Sequence, residues 1–334
     1  MTNALRLLVT LAVLGLAFAP LARSESEDPL PSWSDGPVKS SILAFVSDVT
    51  KEGGSKFVPA EERIAVFDND GTLWCEQPVV QIAFLMHELK KHEADHPEWK
   101  TTQPFKAALE GDMAYLEKDL HGDKKGLMQL FAATHLGMSQ KDFEAAVASF
   151  FDTAKHPKSD RPFTDLAYQP MLELLAYLRA NGFETWICSG GGIYFMRVIT
   201  EETYGIPPQQ VIGSHGKTVF SVVDGVPTMD REAGNVVVND KAGKPVGIDL
   251  HIGRQPIFAA GNVRSSGDIA MLTYCQGSPH ASLQLLVNHD DAEREYAYAE
   301  KDGASLRAAK ANGWQVVSMK QDWARVFLPA DGRR

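Results

Sequence analysis

The run from Ile64 to Leu73, Ile-Ala-Val-Phe-Asp-Asn-Asp-Gly-Thr-Leu, constrains what this chain can fold into more than any other segment. Its apolar half predicts a short buried strand over residues 63–68, and Asp-Asn-Asp-Gly ends that strand with turn chemistry. Asp68 and Asp70 therefore leave its carboxyl end side by side. Carboxylates placed in this way offer a nucleophile, a second group for proton transfer, and hard oxygen ligands for a divalent cation. That combination suits phosphoryl transfer. Taken alone, the same residues also make an ordinary Asx turn, so the rest of the chain must supply the context.

Alternation of strands and helices supplies much of it. An amphipathic helix is expected over 39–51. After the first strand the pattern is helical from Pro78 to about Asp152, with segments at 78–93, 104–119, 123–136 and 140–153 and no strand signal between them. Helix 169–181 follows, with Pro170 in its first turn and Gly182 just past its end. It leads into a strand over 183–188, a helix over 192–204, and a β-rich stretch over 211–238 whose Asp224-Gly225 marks a hairpin. A short helix near Lys244, a strand over 256–260, a helix over 267–274, and strands at 282–288 and 315–318 around a polar helix complete the order. This alternation predicts an α/β fold: a doubly wound, mainly parallel, Rossmann-like sheet with an inserted all-helical cap. The expected divisions are a leader over 1–24, a linker over 25–38, a core from 39–77 and 166–334, and a cap over 78–165.

The leader reading rests on Arg6, an apolar run from Leu7 to Ala22, and Ala22-Arg23-Ser24, which together make a secretory signal with cleavage near Ser24. An uncleaved anchor is the alternative, although the run falls short of the ~20 residues a spanning helix needs. The expected location is periplasmic or secreted, with no stable membrane insertion after cleavage. Residues 25–38 are acidic and carry three prolines, a composition that suits a surface tether. The formal charge of −10 gives no electrostatic footprint for nucleic acid. An anionic substrate must therefore be met locally, by a metal or a few cations. Three cysteines, Cys75, Cys188 and Cys275, do not make a disulfide scaffold and are read as buried small side chains.

In open α/β sheets the ligand sits beyond the carboxyl ends of the strands. Three strand ends stand out. The first gives Asp68, Asp70 and Thr72; the second gives Ser189 followed by Gly190, Gly191 and Gly192; the third gives Gly261, Asn262 and then Asp268.

These residues resemble the haloacid dehalogenase-like superfamily of phosphohydrolases, and more narrowly its phosphoserine-phosphatase-like branch, over about residues 60 to 290. The Asp-x-Asp-Gly-Thr motif at a strand end is the specific part, and the order and spacing of the others add to it. The resemblance implies that Asp68 is the nucleophile and forms an aspartyl phosphate. Asp70 would protonate the leaving oxygen and then deprotonate the hydrolytic water. A relative specialised for dehalogenation would not need Asp70. Thr72, Ser189, Gly190 and a lysine would hold phosphoryl oxygens, the lysine being Lys244 with Lys241 as the alternative. Mg2+ would be held by Asp68, the backbone carbonyl of Asp70, and Asn262 or Asp268. Here the chain departs from the family pattern, because Gly261-Asn262-Val263-Arg264-Ser265-Ser266-Gly267-Asp268 is two residues longer than usual and lacks a middle aspartate. The implied activity is hydrolysis of small phosphomonoesters, a small phosphorylated metabolite being the partner. The alternatives are a phosphotransferase using the same intermediate and a non-catalytic phosphate-ester-binding protein.

Two other features have plain readings. His87, His92 and His96 invite a metal, but on one helix the second and third sit about 140° and 180° around from the first. Trp74 and Glu76 follow the first motif and could equally touch substrate or serve as a core tryptophan and a helix-start acid.

Overall fold

The computed structural model describes residues 28–123, 125–264 and 266–329. The leader expected over 1–24 lies outside the described residues.

Seven strands form one sheet: β1 (Ile64–Phe67), β2 (Glu184–Gly192), β3 (Val211–Val223), β4 (Val226–Val237), β5 (Phe258–Asn262), β6 (Leu283–Asn288) and β7 (Gln315–Ser318). Their spatial order is β4-β3-β2-β1-β5-β6-β7. All neighbours run parallel except β3 and β4, which form an antiparallel hairpin. The chain winds from β1 outward to β2 and β3, then returns across the sheet to β5, so the winding reverses at β1. That reversal opens a crevice at the carboxyl end of the strand that carries the two aspartates.

The central strands β1 and β5 bury both faces. On β1, Ala65 and Phe67 join the core packed under helices Pro37–Thr50 and Gln169–Ala180, while Ile64 and Val66 join the core under helices Gly243–Ile252, Ile269–Gln276 and Ala304–Asn312. Neighbouring strands split in the same way, with Phe258 and Ala260 facing one core and Ala259 the other. Period-two alternation of wholly apolar residues between two helix layers is what a doubly wound sheet requires.

Between β1 and β2 the described residues form helices Val80–His92, Phe105–Glu110, Met113–His121, Lys125–His135 and Gln140–Thr153. Ile82 and Leu89 build a small separate core with Trp99, Ala108, Leu116 and Leu130, whereas Val80 and Phe84 of the same helix pack into the main core. The first helix thus belongs to both layers.

Three expectations differ from the structure. Residues 28–36 are not a tether: Leu30 and Trp33 are buried, Trp33 Nε1 donates to Pro170 O at 2.8 Å, and Trp33 pairs with Trp323. Burial of one tryptophan and one leucine, on the order of 4 kcal/mol of apolar transfer, outweighs the flexible composition. The helix expected over 104–119 is two helices, because Gly111 takes a left-handed conformation and Asp112 caps the second by accepting from Tyr115 N. The helix expected over 192–204 is likewise split, into Ile193–Arg197 and Thr200–Tyr204.

The expected hairpin is present, with Asp224 and Gly225 both at positive φ, the pair of values that a tight I′ turn needs. It leans over the inserted helices: Arg231 N donates to Met138 O at 3.0 Å, and Gly137 N donates to Arg231 O at 2.9 Å. Among the described residues no helix is long and apolar enough to cross a membrane.

Candidate active site

The first strand end sets the geometry. Asp68 N donates to Ala260 O at 2.9 Å, which ties the end of β1 to β5, and Gly71 makes the following turn at φ 73°. His289 Nε2 lies 2.7 Å from Gly71 O and braces that turn from behind. Asp68 and Asp70 then both line a cavity of about 540 Å³ that runs from the strand ends to the inserted helices and the β3–β4 hairpin.

Lys244 reaches the same point from the start of helix Gly243–Ile252. Its Nζ donates to Asp68 Oδ1 at 2.8 Å and, more closely, to Asp268 Oδ1, and the side chain is 2 % exposed. Burial works against its charge, but Asp268 and Asp68 more than compensate and hold its pKa above the ordinary lysine range. Lys241 lines the outer part of the cavity and is exposed. Of the two lysines, Lys244 is the one brought to Asp68.

Asp70 has different surroundings. Its Oδ1 accepts from Trp74 Nε1 at 2.7 Å. Burial pushes its pKa up to about 7, the negative charge of Asp68 adds to the rise, and the Trp74 bond pulls the other way. Two carboxyl groups two residues apart are thus differentiated by environment: one faces an ammonium, the other an indole N–H.

At the second strand end β2 runs on through the glycines. Ser189 is buried beside Asp70, and its Oγ accepts from Gly191 N at 3.1 Å. A Cβ on Gly191 would lie 3.4 Å from both Asp70 Oδ2 and Ser189 Oγ and would push the Gln81 amide aside. Gln81, from helix Val80–His92, accepts from Gly192 N at 2.9 Å and couples the inserted helices to this turn. Ser189 and Gly190 both face the cavity.

At the third strand end, Asn262 Nδ2 donates to Asp70 O at 2.9 Å, Asp68 Oδ2 at 3.2 Å and Thr72 Oγ1 at 3.2 Å. Three oxygens therefore converge on one electropositive atom, a donor set that suits a hard cation. A Mg2+ ion would use Asp68 and the Asp70 carbonyl, with Asn262 presenting Oδ1, which now accepts from Arg264 N at 2.8 Å. The residues fit the ion with few anionic ligands.

Two expected ligands, Thr72 and the cavity-lining Asp268, are engaged with protein groups. Thr72 is fully buried and its hydroxyl accepts from Asn262 Nδ2 at 3.2 Å. Asp268 spends Oδ1 on Lys244 and Oδ2 on Asn262 N at 2.9 Å, which makes it a brace for the lysine. Its side chain lies directly over Gly261, where a Cβ would meet it at 2.5 Å. Arg264 pairs with buried Glu76 at 3.1 Å.

Sequence reading did not assign Trp74 to Asp70, Gln81 to the glycine turn, or Glu76 to Arg264. The position of Trp74, four residues after Asp70 across a tight turn, is the one signal that could have suggested the first of these.

A family model of haloacid dehalogenase-like hydrolases matches residues 65–273. Among solved structures, the chain is similar to a conserved protein of unknown function from Anaerococcus prevotii, at 13% identity over 84% of this chain and 91% of that one, TM-score 0.48. It is also similar to a protein of unknown function from Bordetella pertussis, at 17% identity over 77% and 98%, TM-score 0.46. A phosphoserine phosphohydrolase-like protein from Francisella tularensis matches at 14% identity over 78% and 95%, TM-score 0.43. No curated protein sequence matches.

Proposed function

The chain belongs to the haloacid dehalogenase-like hydrolases, and from that membership we propose that it is an Mg2+-dependent phosphatase of small phosphomonoesters working through an aspartyl phosphate on Asp68. The observation that carries the reading is the pair of unlike carboxyl groups at the end of β1. Asp68 stands against the Lys244 ammonium at 2.8 Å, while Asp70, with its pKa raised to about 7, can carry a proton at neutral pH and give it up.

In the proposed reaction an oxygen of Asp68 attacks phosphorus as the phosphorus–oxygen bond to the leaving group breaks. Asp70 gives its proton to the leaving oxygen. The same carboxylate, now ionised, takes a proton from water as that water attacks the phosphorus, and the bond to Asp68 breaks to release orthophosphate. Lys244, the Ser189 hydroxyl and the amides of the glycine turn offset charge on the phosphoryl oxygens. Asp268 holds Lys244 toward Asp68, and Trp74 fixes which oxygen of Asp70 is free. Mg2+ held by Asp68, the Asp70 carbonyl and Asn262 supplies, when bound, further positive charge for the phosphoryl group. Export past a leader cleaved near Ser24 belongs to the same proposal.

The test is hydrolysis of para-nitrophenyl phosphate by the purified protein, with Mg2+ and with chelator, beside Asp68→Asn. Turnover that needs the metal and falls by at least about 10⁴-fold in the variant is expected. Metal-independent turnover would remove the cation from the proposal, and an active Asp68→Asn protein would remove the aspartyl phosphate.

A further inference from the structure

The two ends of the cavity treat their cations differently. Near the strand ends, Lys244 is shared by Asp68 and Asp268, and Arg264 is paired with Glu76. At the far end Arg231 of β4 also lines the cavity, is 7% exposed, and has no carboxylate in ion-pair contact among the described residues. Its guanidinium lies 4.0 Å from the Phe143 ring centre and 5.1 Å from that of Phe131, and it donates to Gln140 Oε1 at 3.2 Å. Its Nε is buried without a partner.

Neutral rings and one amide do not neutralise a buried guanidinium, and an uncompensated buried charge is expensive. Docking of the hairpin also has backbone bonds of its own, the N and O of Arg231 bonding to Met138 and Gly137. The neighbouring His135 adds no negative charge. The Thr134 hydroxyl donates to Leu130 O, so it accepts from Nδ1–H, and Nε2 is buried without a partner; burial, with Arg231 adding to it, disfavours the charged imidazole. What this end of the cavity lacks is an anion.

Resting on the phosphatase reading, we infer that Arg231 is a specificity-determining residue that receives a second anionic group, a carboxylate or a phosphate, on the leaving group of the substrate. The body of that leaving group lies along the apolar lining of the cavity, which includes Leu127, Met128 and Phe131. A guanidinium suits both anions because it can donate two parallel hydrogen bonds.

The experiment compares phenyl phosphate with meta- and para-carboxyphenyl phosphate and with para-phenylene bisphosphate, in the full protein and in Arg231→Gln. The ratio of kcat/KM is read within each protein, so that a general loss cancels. In the wild type at least one anion-bearing ester is expected to exceed phenyl phosphate by about tenfold or more, mainly through KM, and the ratio is expected to fall to about one in Arg231→Gln. Which ester gains identifies the anion. A ratio near one in the wild type, or one that survives the substitution, overturns the inference. If the variant does not fold, product inhibition of the wild type decides: the carboxyphenols should compete at lower concentration than phenol, and equal inhibition overturns the inference. Turnover of phenyl phosphate without preference defeats only this inference, whereas turnover of none of the esters defeats the phosphatase reading as well.

Discussion

At the strand ends of the cavity Lys244 lies between Asp68 and Asp268, with Asn262 bonded to Asp68 and to the Asp70 carbonyl. At the hairpin end Arg231 lies among Phe131, Phe143 and Tyr194, with no carboxylate in ion-pair contact among the described residues. A charge balanced by its neighbours is held in place and can act on a group common to every substrate. A charge left unbalanced must find its counterpart in what binds. In the proposed reading the first end does the chemistry and the second discriminates.

Substituting each cation by an apolar side chain of similar length should separate the two ends. Lys244→Met would leave Asp68 and Asp268 buried together without their counter-ion, so a loss of about 3–5 kcal/mol in denaturant unfolding at neutral pH is expected. Arg231→Met removes a charge with no carboxylate partner among the described residues and leaves only the half-buried Gln140 amide without its donor, and a change within about 1 kcal/mol of zero is expected. Equal losses in the two variants would erase the distinction between the ends.

A smaller effect concerns pH. Burial, with Arg231 adding to it, holds the His135 pKa down to about 3 from 6.5. Its folded-state pKa is depressed, so between those values the unfolded chain binds more protons. Stability from this residue is complete above about pH 6.5 and falls with acidification, at up to about 1.4 kcal/mol per pH unit. The difference in stability between wild type and His135→Gln should show that slope between pH 6.5 and 4. A flat difference would mean that His135 is not held neutral beside Arg231.

The chemical end was far more legible in the sequence than the discriminating one. Asp68, Asp70, Ser189 and Lys244 each sit at a strand end or helix start, positions that local periodicity and turn residues announce. The Asp224-Gly225 turn announced the hairpin in the same way. Arg231 could not be found so, since its meaning depends on where a hairpin lies against helices many residues away. Residues 28–36 misled for a related reason: proline and acidic residues describe a tether, but the burial of Leu30 and Trp33 is decided by tertiary packing. Motif order alone suggested Thr72 for phosphate and Asp268 for metal, and it could not show that each is bonded to a neighbouring protein group, Thr72 to Asn262 and Asp268 to Lys244 and Asn262.

The most direct test of the chemistry uses Asp70→Asn, in which the leaving group can still depart from an aryl ester but the hydrolytic water loses its base. Acid quench during turnover of para-nitrophenyl phosphate, followed by peptide mass analysis, should find a phosphoryl group on Asp68. A phosphoryl group on Ser189 or any other residue would contradict an aspartyl phosphate at the end of β1.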